Sequence, residues 1–279
     1  MLQVTNIIKP EQSILDALAG YQKEIDDLHH SRFEVKRSKA KESFSQKNKK
    51  GNSVFDAIKI KLLEISPGIE RCVYCEDSKC DEVEHIYPKD LYPQYCFVWS
   101  NYVYACGTCN APKNNKFAIF RHDNGAYQEV NPIKKEQIVE PPSGDCVLIN
   151  PRVDNPLDFC RLDLETFKFV ILAQPNTKDY QRADYTYNMV LRLNGQREYL
   201  RKQRENAYTN YKARLHSYNS HKSEGTLSFK LNTMIANLQR ESHPTVWKEM
   251  QRYHSIGLLS KIDPDLDNWF LKSPEALDW

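Results

Sequence analysis

Apolar residues recur at three- and four-residue steps near the start of the chain: Ile14, Leu15, Leu18, Tyr21, Ile25 and Leu28, with Glu24, Asp26 and Asp27 facing away. That spacing predicts an amphipathic helix over 11 to 29. From 32 to 50 the pattern lapses into Lys, Arg, Ser, Gln and Asn, and the stretch reads as a mobile connector or a poorly anchored helix. Its Lys36, Arg37, Lys39, Lys47, Lys49 and Lys50 either track a phosphate backbone or are simply solvated. Ser53 is the expected N-cap of a second helix ending at about residue 65, before Pro67-Gly68. Phe55, Ile58, Ile60, Leu62, Leu63 and Ile65 are too many for one narrow stripe, so burial on several sides is expected.

Further on, Glu82-Val83-Glu84-His85-Ile86 alternates as a strand does, residues 99 to 103 read as a loop presenting Asn101, and Asn110-Ala111-Pro112-Lys113 reads as the first turn of a helix. Helical period is lost after Phe117. Turns are expected at Val130-Asn131-Pro132 and Pro141-Pro142-Ser143-Gly144, strands at 147 to 149 and 167 to 172. From Asp179 the chain turns helical, with Ala183, Tyr187, Val190, Leu191 and Leu193 on one face and a break at Asn194-Gly195. An arginine-rich helix with Arg197, Arg201 and Arg204 follows, then helices over 227 to 238 and 246 to 253. Its charged face either lies along nucleic acid or is solvated. The tail, 263 to 271, alternates acid with large apolar groups and is either a packed strap or a docking segment.

The 279 residues, 27% charged and 40% hydrophobic, are those of a soluble globular protein of one large or two small domains. No window approaches the ~20 apolar residues of a membrane span, and Glu11, Asp16 and Glu24 interrupt any leader, so a cytoplasmic protein is expected. A net charge of only +2 means that any nucleic-acid groove is local or completed by a partner.

Four of the eight cysteines form two Cys-x-x-C pairs, Cys72/Cys75 and Cys106/Cys109. Each pair is a tight knuckle, and two knuckles complete a tetrahedral structural zinc site. Cys80, Cys96, Cys146 and Cys160 read as ordinary reduced cysteines, with Cys80 a possible substitute ligand beside the first knuckle. A closed four-thiolate site leaves no position for chemistry, so the chemistry is sought between the knuckles. There a carboxylate, Glu84, and an imidazole, His85, stand on opposite faces of one strand. Lys89 and Lys113 are candidate phosphate contacts or solvated lysines. Arg152 pairs with Asp154 or touches substrate. The aromatic set Tyr87, Tyr92, Tyr95, Phe97, Trp99, Tyr102 and Tyr104 either packs the finger or stacks on bases.

The series C-x-x-C, Glu84-His85-Ile86-x-Pro88, Asn101, then Cys106-x-x-Cys109-Asn110-x-x-Lys113 resembles the HNH endonucleases. The resemblance implies a finger of two strands and a helix. It makes His85 the general base, Glu84 and Asn110 ligands of a catalytic Mg2+ or Mn2+, and Asn101 the residue that orients the histidine. Glu84 stands where many relatives have Asp, and Asn110 where many have His. The later pieces Asn150-Pro151-Arg152-x-x-Asn155-Pro156, Arg182-Ala183, Thr186 and Leu193-Asn194 narrow this to a resemblance to the HNH subunit of Septu and retron-associated anti-phage systems, over roughly residues 70 to 205. That resemblance implies an ATPase partner, and because this sequence has no G-x-x-x-x-G-K loop of its own, any ATP dependence would come from that partner.

The expected fold class is α+β, a zinc-stapled ββα-metal finger embedded in a mainly helical protein. The expected domains are an N-terminal helix and basic connector (1–52), a nuclease core (53–125) and a mixed, then helical accessory region (126–279). The function expected from the resemblance is hydrolysis of nucleic-acid phosphodiesters, DNA ahead of RNA. The competing reading is a zinc-stabilised module that binds nucleic acid or protein without cutting.

Overall fold

The apolar stripe near the start of the chain forms helix α1, Gln12–Asp26, which buries Leu18 and Ile25. It also buries Gln22, which periodicity alone does not flag: Gln22 Oε1 accepts from the Phe97 amide at 2.8 Å and Nε2 donates to the Pro93 carbonyl at 3.2 Å. The polar helix face is thereby tied to the loop that carries residues 93 to 97. A computed structural model describes the whole chain except residues 6, 7, 29–31, 69, 131–137 and 196, so the end of the expected first helix and the turn at Asn131-Pro132 lie outside the described residues.

The basic stretch is a fifteen-residue helix, α2, Phe33–Lys47, and not a connector. It has almost no apolar face, and it is anchored by one aromatic side chain. Phe44 meets Phe55 edge-on with ring centroids 5.4 Å apart and the His85 ring at 4.5 Å. Sequence periodicity averages such a lone anchor away. Truncating a buried phenylalanine costs about 3–5 kcal/mol. Phe44→Ala is expected to lower the denaturation midpoint accordingly, with Phe44→Leu recovering most of the loss in the same chemical melt.

Helix α3, Ser53–Ile65, is capped by Asn52 and not by Ser53: the Asn52 side chain accepts from the Phe55 amide at 3.2 Å. Its buried residues, Phe55, Ile58, Leu62 and Ile65, do form one stripe, while Ile60 is exposed. Strands β1, Glu82–His85, and β2, Tyr102–Ala105, pair antiparallel with Glu84 opposite Val103 and His85 opposite Tyr102. Helix α4, Gly107–Lys113, packs across β1. It starts three residues before Asn110, so Pro112 lies near its end and not in its first turn. Tyr87, Tyr92, Tyr95 and Phe117 pack on one another with centroids 5.0–5.3 Å apart along the chain of contacts, so these rings make a small core.

Strands β3, Ala118–Arg121, β4, Tyr127–Glu129, and β5, Gly144–Cys146, form an antiparallel sheet in the order β4-β3-β5. The expected strand at 147 to 149 thus falls three residues earlier, with Val147, Leu148 and Ile149 buried just beyond it. Gly144 is needed there, because a Cβ would lie 2.5 Å from the Phe120 carbonyl oxygen. Strand β6, Cys160–Leu162, pairs with β7, Phe169–Ile171.

Helix α5, Lys178–Asp184, runs into a π-helical turn, Tyr185–Val190, that buries Tyr185, Thr186, Tyr187 and Val190. Helices α6, Glu198–Ser223, α7, Ser228–Gln239, α8, Pro244–Ser255, α9, Leu259–Ile262, and α10, Pro264–Lys272, complete the chain. The arginines expected along α6 are engaged internally: Arg204 is buried and donates to the Phe167 and Leu193 carbonyls, and Arg201 pairs with Glu198 and Glu205. The tail is a packed strap, with Leu266 and Phe270 fully buried. One apolar cluster runs from α1 through the β1/β2 ribbon to α10.

Candidate metal centre and adjoining pocket

The two knuckles converge. The sulfurs of Cys72, Cys75, Cys106 and Cys109 all lie within 4.8 Å of one another, buried, with Cys75 and Cys106 Sγ 3.8 Å apart. A tetrahedron with Zn–S bonds of ~2.3 Å has edges of ~3.8 Å, so the spacing fits a structural zinc. Cys80 lies outside the cluster. One residue that spacing did not flag supports the centre from outside. Arg197 Nη1 donates to Cys109 Sγ at 3.1 Å and is itself 9% exposed. Loss of such an outer partner typically costs 10- to 100-fold in metal affinity. Arg197→Met is expected to weaken zinc retention by roughly that factor in a chelator competition, with little change in secondary structure.

Beside the cluster lies a pocket of about 290 Å³ between β1, the loop after it and α4. His85, Glu84, Glu82, Lys89 and Asn110 line it. His85 Nε2 sits 2.9 Å from the Cys96 carbonyl oxygen, which also accepts the Tyr102 hydroxyl at 2.7 Å. A carbonyl only accepts, so Nε2 carries the hydrogen and Nδ1 holds the free lone pair. The Phe44 and Tyr102 rings flank the imidazole edge-on. Burial, followed by the Lys89 charge, pushes the His85 pKa down to about 3, so the ring is neutral near neutrality.

The Asn101 side chain spends its hydrogen bonds on the backbone and not on His85. Its Oδ1 accepts from the Tyr87 amide at 2.8 Å, and its Nδ2 donates to the Tyr87 and Tyr95 carbonyls at 3.0 and 2.9 Å. It fixes the backbone on either side of the pocket, while the Cys96 carbonyl orients the imidazole.

Glu82 and Glu84, two residues apart on β1, both face α4. Asn110 Nδ2 donates to Glu82 Oε2 at 2.6 Å, and Lys113 forms an ion pair with Glu84. Glu82 was legible as the i−2 neighbour of Glu84, because a strand repeats its faces every two residues. Burial raises the Glu84 carboxyl and the Lys113 charge opposes that shift. Lys113 is fully buried and also donates to the His85 carbonyl at 2.7 Å, so it is neither solvated nor a surface phosphate contact.

Arg152 is likewise turned inward. It donates to the Tyr102 carbonyl at 2.9 Å and lies over the Trp99 ring, and burial pushes its pKa down to about 10. The partner of Asp154 is Arg182, at 2.6 Å. Of the three cations considered for substrate, Lys89 alone lines the pocket.

The chain is 35% identical over 117 residues to the Septu protein PtuB of Bacillus thuringiensis, a match covering 40% of this chain and 36% of that protein. The chain thus spans little over a third of that relative's length. No family model and no solved structure matches it. No described helix is long and apolar enough to cross a membrane.

Proposed function

We propose that this chain is a metal-dependent endonuclease of the HNH type and the effector subunit of an anti-phage defence complex with an ATPase partner. One observation carries the chemistry. A neutral histidine, fixed at Nε2 by the Cys96 carbonyl, lines a pocket whose other wall presents Glu82, Glu84 and Asn110. The similarity to a Septu protein supports the setting in defence. In this reading β1, β2 and α4 are the ββα finger, stapled by zinc on the four cysteines.

The oxygen donors on the acidic wall suit a hard divalent cation such as Mg2+ or Mn2+. Glu84 and Asn110 would hold it, and it would neutralise charge on phosphate oxygens. His85 accepts a water proton at Nδ1, and the Cys96 carbonyl and Tyr102 keep the ring from turning. Asn101 keeps the loop after β1 in register with the histidine.

A zinc-stabilised binding module that does not cut is the second reading. It draws on the Lys113 ion pair, which already neutralises the carboxylate a catalytic metal would use. Digestion of plasmid DNA and of total RNA separates the two, using the zinc-loaded chain alone and with its ATPase partner, with Mg2+ or Mn2+ present or chelated. Metal-dependent cleavage is the expected result. Binding without cleavage under every condition would establish the module instead.

A further inference from the structure

Lys89 and Asn115 edge the pocket, and Asn115 links that edge through Asp90 to α2, a helix outside the finger. On α2, Arg37, Lys41 and Phe44 follow one another at steps of four and three residues, so they share a face. Phe44 seats that face on the His85 ring, and the Lys89 ammonium lies over Phe44 at 5.0 Å. Arg37 and Lys41 both lean on a single oxygen, Asp90 Oδ2, at 3.6 and 3.4 Å, and that oxygen already accepts from Asn115 at 2.7 Å.

Two cations thus share one carboxylate oxygen, and a third, Lys89, lies over the Phe44 ring of the same helix face. The Arg37 side chain is 25% exposed and that of Lys41 49%. Lys89 makes no ion pair with a carboxylate among the described residues. A shared carboxylate of this kind aligns cations without quenching them. Glu82, Glu84 and Asn110, which line the same pocket as Lys89, are oxygen donors of the kind that attract a metal.

We propose that Arg37, Lys41 and Lys89 form a phosphate-binding rim that holds the nucleic-acid strand beside the reacting phosphodiester, with Asp90 as the residue that positions Arg37 and Lys41. The proposal rests on the reading of this pocket as a nuclease site. It adds the element that grips the strand, α2, and a determinant of affinity lying outside the zinc-stapled finger.

The test is binding of a short fluorescent DNA duplex to His85→Ala protein over a series of salt concentrations. Each lost phosphate contact lowers the slope of log K against log salt by ~0.9. Arg37→Gln with Lys41→Gln should therefore lower it by ~1.8 and weaken binding at low salt, with zinc content unchanged. Lys41→Gln alone, at a half-exposed position that folding tolerates, should lower it by ~0.9. Lys23→Gln, on the exposed surface of α1, should not change it.

If the wild-type chain cuts but the double variant keeps the parent slope, the rim is wrong and the nuclease reading stands. If the slopes fall as stated but no preparation cuts, the rim stands as a nucleic-acid contact and the nuclease reading falls. Weaker binding with an unchanged slope would mean that the substitutions disturbed the fold, and would overturn the rim.

Discussion

His85→Asn is expected to reduce metal-dependent cleavage by at least 100- to 10,000-fold, the usual contribution of a positioned general base, while zinc content stays at one per chain. Asparagine supplies no nitrogen that can take a proton near neutrality, and its shorter amide does not reach the Cys96 carbonyl that Nε2 holds. The Tyr102 hydroxyl remains on the same carbonyl, so the buried acceptor is not orphaned. Single-turnover cleavage read beside zinc analysis checks both halves; loss of zinc together with activity would show that histidine and zinc centre are not separate devices.

The same substitution has a pH signature that owes nothing to turnover. Above ~6.5, the ordinary pKa of a histidine, neither state of the chain binds a proton at this position, and the burial of a neutral ring costs nothing in protonation. As pH falls from there towards 3, the unfolded chain takes up a proton that the folded chain refuses. Stability is therefore lost over that window, by up to about 1.4 kcal/mol per pH unit. His85→Asn should lack this increment, so on acidification the wild type should lose stability relative to the variant. Zinc release is common to both and drops out of the difference.

Cys72→Ser is expected to have the larger effect on stability. Structural zinc contributes about 10–16 kcal/mol in small peptides, against total domain stabilities of about 5–15 kcal/mol. The ribbon it closes has strands of only four residues, and α4 has seven, too little to persist without the staple. The variant should retain no zinc, lose its cooperative thermal transition at the wild-type midpoint and expose the remaining thiols to a thiol reagent. The loss should spread beyond the finger, since Arg197 donates to Cys109, and Glu76, next to Cys75, accepts from Thr245 of α8. A variant that melts like wild type would mean that the cysteines hold no structural metal.

The local signals in the chain proved to be those with short, rigid spacing. Two Cys-x-x-C pairs, an alternating strand and the stripe of α1 can be read because each is set by neighbouring residues. His85, Glu84 and Asn110 line one pocket, a grouping that only the family resemblance implied, since alternation along a strand sets Glu84 and His85 on opposite faces. What could not be read depends on pairing between distant segments. Nothing local to Phe44 says that it will cover a histidine forty-one positions on, and nothing near Arg152 says that its guanidinium will turn inward to the Tyr102 carbonyl. Lys113 shows the same limit: at a helix end it looks solvated, and only the packing of α4 on β1 reveals a buried counter-charge to Glu84. Asn101 sits at the expected place, but its amide is spent on the backbone of Tyr87 and Tyr95.

The contact between Glu76 and Thr245 spans 169 positions of sequence and ties the first knuckle to α8. At synthesis rates of roughly 5–20 residues per second, the ribosome delivers the second partner on the order of ten to thirty seconds after the first. For that interval the knuckle is made but its outer support is not, and the four thiols compete in the open for zinc, for oxidants and for one another. Newly made chains in zinc-poor cells should therefore accumulate misbridged species at this centre before any fault shows in the finished protein.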